Sequence, residues 1–143
     1  MLEYDKMGSR LRSIGSTIIE YDMMGTRPRR LGAHELGYDK IGSRLRSIGT
    51  TTVDYDMAGT RPRRLGPHDL QYDMMGSRLR SIGTTTIDYD MMGSRIQRIG
   101  RFNIAYDLIG SRPRTLDSED ETMMSDEEAI QVFLVLALTA QAV

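Results

Sequence analysis

Residues 38–54 read Tyr-Asp-Lys-Ile-Gly-Ser-Arg-Leu-Arg-Ser-Ile-Gly-Thr-Thr-Thr-Val-Asp, and this stretch is one copy of a repeat. Its opening motif, Tyr-Asp-x-x-Gly-(Ser/Thr)-Arg, occurs seven times in the 143-residue chain. All seven tyrosines of the chain stand in that motif at one constant spacing: Tyr4, Tyr21, Tyr38, Tyr55, Tyr72, Tyr89 and Tyr106. A fixed period of this kind is typical of a repeat architecture. Repeats are numbered one to seven along the chain, and residues within a repeat take positions 1 to 17 from the tyrosine.

Each repeat predicts a β-hairpin. Position 5 is always glycine, and position 12 is glycine except in the last repeat, where Asp117 replaces it. The two runs between these glycines have strand length rather than helix length. Positions 11 and 16 are always aliphatic, with Leu2 standing at position 16 ahead of the first tyrosine, and Thr51-Thr52-Val53-Asp54-Tyr55 is rich in β-branched residues. The sequence therefore predicts a mainly β fold of seven antiparallel hairpins in a coiled or closed sheet, plus one C-terminal α-helix.

The facing of the side chains depends on the register of the first turn. If the aspartate and glycine pair across that turn, positions 1, 8 and 16 share one face, and the acidic position 17 lies opposite the arginine at position 7. If the glycine forms a bulge instead, the tyrosine lies opposite that arginine. We favour the first arrangement because it separates apolar from charged residues, although it leaves the aliphatic position 11 on the charged face.

A second period, of two repeats, overlies the first. Repeats one, three and five carry Gly-Ser-Arg-Leu-Arg-Ser-Ile-Gly, whereas repeats two and four carry Gly-Thr-Arg-Pro-Arg-Arg-Leu-Gly. Pro28 and Pro62 cannot donate a hydrogen bond to a neighbouring strand, so we expect looser hairpins there. The repeating unit is therefore partly a pair of unlike hairpins.

The tail differs from the repeats in charge and in pattern. Residues 1–116 form the hairpin domain and hold 19 basic and 13 acidic residues, a net charge of +6, whereas residues 117–143 hold seven acidic residues and no basic one. After an acidic linker at 117–125, Ser125-Asp126-Glu127-Glu128 is a capping box that begins an apolar helix at 126–143. Its apolar stretch is too short to span a bilayer. We expect this helix to pack on the sheet or at a dimer interface, with a membrane-surface anchor as the alternative.

Enzymatic, metal and cofactor chemistry find no support in the residue pattern. His34 and His68 stand at the same place in repeats two and four, where Thr17, Thr51 and Thr85 stand in other repeats, which indicates a turn position rather than a metal ligand. The aspartates at position 2 are interpreted as turn caps. The chain has no cysteine and no basic-then-apolar start, which favours a reduced, cytoplasmic protein without a transmembrane segment.

Two sets of residues are the candidate binding sites. Eight of the eleven methionines stand at positions 3 and 4, where a turn is normally polar. Seven of these and two residues of the helix form the predicted partner-binding set: Met23, Met24, Met57, Met74, Met75, Met91, Met92, Phe133 and Leu134. Arginines at positions 7 and 9 could follow a polyanion, and the predicted set is Arg27, Arg29, Arg61, Arg63, Arg78 and Arg80. Acidic residues at positions 2 and 17 are expected to neutralise part of these rows.

Through the motif Tyr-Asp-x-x-Gly-(Ser/Thr)-Arg, residues 1–116 resemble the YD repeats of RHS-type proteins, in which a Tyr-Asp-x-x-Gly-Arg core lies on β-hairpins that coil into large shells. The period here is shorter, one residue separates glycine from arginine, the repeats are few and no toxin-like end follows, so shell-building and secretion are not implied. The chain also resembles small uncharacterised repeat proteins of cyanobacterial type, with Tyr-Asp repeats before an acidic, leucine-rich tail. That resemblance implies no known activity.

The function expected from the sequence is a non-enzymatic scaffold or protein-interaction repeat protein that self-associates, its partner being a second copy or another protein. The alternative is a polyanion-binding module, for example for nucleic acid, that uses the arginine rows and is modulated by the acidic tail.

Overall fold

The structure is a computed structural model, and it describes residues 2–4, 10–21, 27–39, 44–56, 61–73, 78–90, 95–106, 113–119 and 122–138. Within these ranges it contains fourteen short β-strands and one α-helix, which confirms the predicted fold class. The strands are β1 (Leu2–Tyr4), β2 (Leu11–Ile14), β3 (Thr17–Tyr21), β4 (Pro28–Leu31), β5 (His34–Tyr38), β6 (Leu45–Ile48), β7 (Thr51–Tyr55), β8 (Pro62–Leu65), β9 (His68–Tyr72), β10 (Leu79–Ile82), β11 (Thr85–Tyr89), β12 (Ile96–Ile99), β13 (Phe102–Tyr106) and β14 (Pro113–Asp117). The helix α1 spans Asp126–Leu138.

The order of the strands in the antiparallel sheet is the order of the sequence. The chain divides into two compact units, one formed by Met1–Ile18 with Thr85–Val143 and the other by Ile19–Thr84. In the first unit β1 contacts β14, so the first and last strands of the sheet, which carry Leu2 and Leu116, lie against each other. In the second unit each strand pairs with the strand before it and the strand after it.

The predicted register of the first turn is wrong for two reasons. The turn closes from position 2 to position 7, as in the hydrogen bond from the Asp56 N–H to the Arg61 carbonyl at 3.0 Å, and a bulge follows it. The tyrosine lies opposite position 8, as in Tyr55↔Pro62, and the next pair is position 17 with position 10, as in Asp54↔Arg64. Position 9 is therefore an extra residue that lies opposite no residue of the neighbouring strand, which is the geometry of a β-bulge. The acidic residue faces position 10 rather than the arginine at position 7. The same shift occurs in Leu-containing and Pro-containing repeats.

The bulge also accounts for the aliphatic residue at position 11. Successive side chains of a strand point to opposite faces, so positions 8 and 11 would lie on different faces of a regular strand. The extra residue brings both to the buried face, where position 11 packs opposite position 16, as in Leu31 with Ile19. Every position 11 residue is buried: Ile14, Leu31, Ile48, Leu65, Ile82, Ile99 and Leu116. Positions 8, 11 and 16 thus supply the apolar core of the strands.

The return turn at positions 12 and 13 contains two residues and begins with glycine. Gly49 has a φ of +61° and Gly66 a φ of +58°, in the left-handed region that a side chain strains. Glycine first in a two-residue hairpin turn is the pattern of a type II′ turn, and Pro67 suits the second place because its ring fixes φ at a negative value. The Gly49 N–H donates to the Glu35 carbonyl at 2.8 Å, so the strand pairing continues into the turn.

The helix α1 begins at the predicted capping box. The Ser125 N–H donates to Glu128 Oε1 at 2.8 Å, and the Glu128 N–H donates to Ser125 Oγ at 3.1 Å. Every residue from Ala129 to Leu136 is buried, so the helix is covered on all faces, as its all-round apolar sequence predicts. Among the residues described, no helix has the length and apolarity that crossing a membrane requires.

Replacing Gly49 by alanine is expected to destabilise the fold more than replacing Gly15. Both glycines have nearly the same φ, +61° and +59°, so both variants carry the left-handed strain of about 1 kcal/mol. A Cβ at Gly49 would lie 2.5 Å from His34 Nδ1 and 3.3 Å from its Cβ, whereas a Cβ at Gly15 meets no atom within 4 Å. Urea unfolding of the two variants measures the difference.

The double variant Gly49→Ala with His34→Ala is the control, because it keeps the strain and removes the imidazole that makes the closest contact. Its loss relative to His34→Ala should be smaller than that of Gly49→Ala alone and closer to that of Gly15→Ala. Equal losses in the two single variants would contradict the packing of His34 on the return turn.

Candidate functional site

The tyrosine of a hairpin joins it to the hairpin before it. The ring is half-buried, and its hydroxyl donates to the position 8 carbonyl of the preceding repeat. The pairs are Tyr38 with Pro28 at 2.6 Å, Tyr55 with Leu45 at 2.7 Å, Tyr72 with Pro62 at 2.6 Å and Tyr106 with Ile96 at 2.5 Å. In the first unit Tyr4 donates to Pro113 at 2.6 Å, so repeat one follows repeat seven by the same contact. The motif tyrosine is therefore a connecting residue.

The arginine at position 7 covers the ring of the next tyrosine. The guanidinium carbon of Arg44 lies 4.5 Å from the Tyr55 ring centroid, and that of Arg61 lies 4.1 Å from the Tyr72 centroid. Such cation–π contacts contribute about 0.5–1 kcal/mol at exposed sites. The arginine row of the sequence is thus laid over the tyrosine row, one guanidinium on each of these rings.

The aspartate at position 2 completes this arrangement. The Asp39 N–H donates to the Arg44 carbonyl at 3.0 Å, and its carboxylate accepts from Arg44 Nε at 2.5 Å and from Arg46 Nη1 at 3.1 Å. The hydrogen bond from Arg44 is the main cause that lowers the pKa of Asp39, with a smaller contribution from Arg46. Repeat five is built alike, with Arg78 at 2.5 Å and Arg80 at 3.2 Å from the Asp73 carboxylate, and the pKa of Asp73 is lowered for the same reason.

The protein is expected to lose stability in alkaline solution, because the pKa of one tyrosine is higher in the folded chain than in the unfolded chain. Burial raises the pKa of Tyr106 to about 12, against about 10 in an unfolded chain. The unfolded chain therefore loses this proton first, so the stabilisation is complete below pH ~10 and is lost as the pH rises from about 10 to 12. Denaturant unfolding at several pH values, with absorbance of the phenolate, measures the loss.

The variant Tyr106→Phe serves as the control, since its phenyl ring cannot ionise. Its stability should decline less between pH 10 and 12 than that of the unaltered chain. An equal decline would contradict the late titration of Tyr106.

Position 9 lies at the bulge and its arginines are exposed. The Arg46 and Arg80 side chains retain 59% and 61% of their accessible surface, even though each donates to an aspartate. Arg29 and Arg63 are exposed as well. Of the six predicted polyanion-binding residues, Arg78 and Arg80 are held by Asp73, whereas Arg27 and Arg61 lie over Tyr38 and Tyr72. Their role in binding stays a prediction.

Position 10 forms a second group of charges on the same strands, which the predicted register had missed. Arg64 lies opposite Asp54 on one neighbouring strand and Asp69 on the other, and its Nη1 is 3.4 Å from Asp69 Oδ1. In the adjoining repeat the equivalent residue is Ser47, which lies opposite Gly37 and Thr52. From repeat two to repeat four, position 10 therefore belongs in turn to an acid–arginine–acid group, a neutral group and a second acid–arginine–acid group.

The predicted partner-binding residues fall into two groups. The seven methionines, Met23, Met24, Met57, Met74, Met75, Met91 and Met92, lie outside the described residues. Phe133 and Leu134 are each only 1% exposed, because the helix that carries them is covered within the chain. In the unit that contains α1, the Thr85 hydroxyl donates to Gln131 Oε1 at 2.8 Å, which gives the helix a polar attachment to β11.

The two histidines begin β5 and β9 and are half-buried beside glycine turns. His34 lies under Gly49 and His68 under Gly83, where an added Cβ would come within 2.5 and 2.6 Å of the imidazole Nδ1. The described part of the chain holds no group of three or more histidine, cysteine or carboxylate side chains placed to bind a metal. These histidines pack against turns, in positions that threonine fills in neighbouring repeats.

Arg101 binds the tail, and this contact was not predicted from the sequence. Its Nε donates to Glu128 Oε2 at 2.7 Å and its Nη2 to Oε1 at 3.0 Å, a two-pronged pair, while Nη1 donates to Ser118 Oγ at 3.2 Å. Nη2 also reaches the Thr122 and Met123 carbonyls at 3.1 and 3.3 Å. A signal was present, because position 13 is Ser, Ala, Thr, Pro or Thr in the five repeats before Arg101.

Replacing Arg101 by glutamine is expected to cost about 2 kcal/mol of unfolding free energy, because it removes charge-assisted hydrogen bonds to the helix cap. The hydrogen bond from Arg101 is the main cause that lowers the pKa of Glu128. The contribution is therefore present above the unfolded pKa of Glu128 and is lost as the pH falls through its folded pKa. Urea unfolding at pH 7 and at decreasing acidic pH measures both effects.

Arg98→Gln is the matched control, since Arg98 is exposed and its Nε donates to a backbone carbonyl, that of Gly100, at 3.1 Å. We expect this variant to cost at most about 0.5 kcal/mol, in the usual range of surface changes. A cost for Arg101→Gln that is equally small, or unchanged at acidic pH, would contradict the anchoring contact.

Comparison of the chain with protein-family models, with curated proteins and with solved structures finds no match. The resemblance to YD repeats therefore stays a prediction drawn from the motif.

Proposed function

We propose that this chain is a non-enzymatic scaffold that binds protein, in the first place a second copy of itself. The observation that carries the proposal is the use of the motif residues. Tyrosine, arginine and aspartate of successive repeats bind one another, as in Tyr55, Arg44 and Asp39. Polar groups arranged in this way connect hairpins, whereas an active site would gather them around one point.

The surface proposed for the partner is the methionine set at positions 3 and 4. Methionine side chains are flexible and polarisable, so they adapt to an apolar partner surface. In repeat five Asp73 precedes Met74 and Met75, and it is joined to Arg78 by both a backbone and a side-chain hydrogen bond. The described residues on either side of this methionine pair are therefore held together. A cytoplasmic location remains part of the proposal, on the basis of the cysteine-free sequence.

Changing Met23, Met24, Met74 and Met75 together to glutamine is expected to abolish self-association, because it removes apolar contact area while keeping side-chain length. Sedimentation velocity over a range of protein concentrations measures the association. Unfolding by urea is followed in parallel to establish that the variant remains folded.

Met123→Gln is the control, because Met123 is 76% exposed and lies outside the proposed set. It should associate like the unaltered chain. A chain that is monomeric at every concentration, or a quadruple variant that associates normally, would contradict self-association through the methionines.

A second candidate function is polyanion binding by the arginines, with the acidic tail as a competitor. The exposure of the position 9 residues Arg29, Arg46, Arg63 and Arg80 on the described strands favours it. In the first unit the tail already supplies a carboxylate to Arg101, in the two-pronged geometry that a phosphate would also accept.

A further inference from the structure

The helix α1 occupies a site that distant residues of the first unit complete. Every residue from Ala129 to Leu136 is buried, and the Thr85 hydroxyl of β11 donates to Gln131 Oε1 at 2.8 Å. In the first turn of the helix, Glu128 accepts from Arg101 Nε at 2.7 Å and from Arg101 Nη2 at 3.0 Å. The site therefore recognises the helix by its apolar faces, by one amide and by one carboxylate.

The segment that leads to the helix closes into a loop on one guanidinium. Arg101 Nη1 donates to Ser118 Oγ at 3.2 Å, just after the end of β14, while Nε and Nη2 of the same side chain bind Glu128. The two ends of residues 118–128 are thus brought to a single side chain. Those residues of the loop that the structure describes ahead of Asp126 belong to no strand or helix.

The same loop is crowded with negative charge. It contains six acidic residues and no basic one, and these are Glu119, Asp120, Glu121, Asp126, Glu127 and Glu128. Closing the loop on one arginine gathers these charges around a single positive group. A charged linker repels itself and favours an extended course. Closure of the loop within one chain is therefore opposed, whereas the contacts of the helix itself do not depend on which chain supplies it.

We propose that α1 exchanges between two copies of this chain, so that the helix of one copy occupies the site formed by Thr85 and Arg101 of the other. Exchange of an identical element is a low-cost route to a dimer, because each site keeps its contacts and only the loop takes another course. Hinge loops under strain favour such exchange. Each site of the dimer is then completed by Glu128 of the second copy.

This inference rests on the self-association proposed above and adds a second segment to it. The methionine set joins two copies through their surfaces, whereas exchange places the tail of one copy within the other. Docking of the helix on its own chain competes with exchange, since the loop fixes the effective concentration of the helix at its own site. Exchange therefore increases with protein concentration and depends on loop length.

Charge reversal of the Arg101 and Glu128 pair tests exchange with full-length chains. Arg101→Glu places two carboxylates together and Glu128→Arg places two guanidinium groups together, so each variant alone should lose roughly 1 M in its urea unfolding midpoint. Refolded together from urea, the two variants should recover most of this loss. Exchange pairs the two altered residues at one site and the two original residues at the other.

The control is a single chain that carries both Arg101→Glu and Glu128→Arg, in which the reversed pair can form without exchange. Its midpoint gives the stability that a reversed pair can restore, and the mixture should reach at least that value. Native mass spectrometry of the mixture, with one variant labelled with ¹⁵N, identifies dimers that contain one copy of each.

Loop length supplies a second measurement that leaves both anchoring residues unchanged. Deletion of Asp120 and Glu121 shortens the loop, so the helix reaches its own site less readily, and the dissociation constant of the dimer should fall by about tenfold. Insertion of Gly-Ser-Gly-Ser between these two residues dilutes the charge and should raise the dissociation constant. Sedimentation velocity over a range of protein concentrations measures both effects.

The outcomes separate exchange from self-association in general. Recovery in the mixture, with a dissociation constant that follows loop length, supports exchange. A mixture that unfolds as its two separate components, or a dissociation constant that loop length does not alter, overturns exchange while leaving the self-association of the unaltered chain in place. An unaltered chain that is monomeric at every concentration overturns self-association, and the exchange with it.

Discussion

The single extra residue at position 9 of each repeat is the constraint on which the rest of this structure depends. A strand without it would place positions 8 and 11 on opposite faces, and one aliphatic residue of each repeat would lie in water. With it, Pro62 and Leu65 are both buried, and Arg63 between them lies at the bulge and points its charge to solvent. One irregularity thus fixes the core and the charged surface together.

The repeated motif of tyrosine, aspartate and arginine is best understood as the connection between hairpins. An isolated two-stranded hairpin is marginally stable in water, so each repeat needs its neighbours. The Tyr55 hydroxyl bonds the carbonyl of Leu45, and Arg44 lies across the Tyr55 ring while bound to Asp39. Hydrogen bond, cation–π contact and ion pair therefore meet at one junction, which joins positions 2, 7 and 8 of one repeat to the tyrosine of the next.

The repeat, the strand type, the return-turn glycines and the capped helix could be predicted from the sequence, because each has a local pattern. Position 12 favours glycine because its φ is positive, and this depends on the two-residue turn alone. The capping box of Ser125 and Glu128 likewise lies within a single helical turn. The predicted register was wrong because the true register is the one that buries positions 8 and 11 together. The pattern of a single hairpin does not show that both must be buried. Arg101 was missed because its partners on the tail are distant in sequence, and only the break in the position 13 pattern signalled it. The methionine set depends on turn conformation, which lies outside the described residues.

The alternation at position 10 affects which numbers of repeats can be gained or lost without changing the cross-strand pairs. Arg64 lies between Asp54 and Asp69, whereas Ser47 lies opposite Gly37, whose absent Cβ leaves room for the serine hydroxyl. Loss of one repeat, residues 38–54, would set Arg64 against Gly37 and deprive it of one carboxylate. Loss of two repeats, residues 38–71, would set Ser81 against Gly37 and keep the pattern intact. Within repeats two to four, a change of two repeats therefore keeps each position 10 residue opposite partners of the kind it has now, whereas a change of one repeat does not.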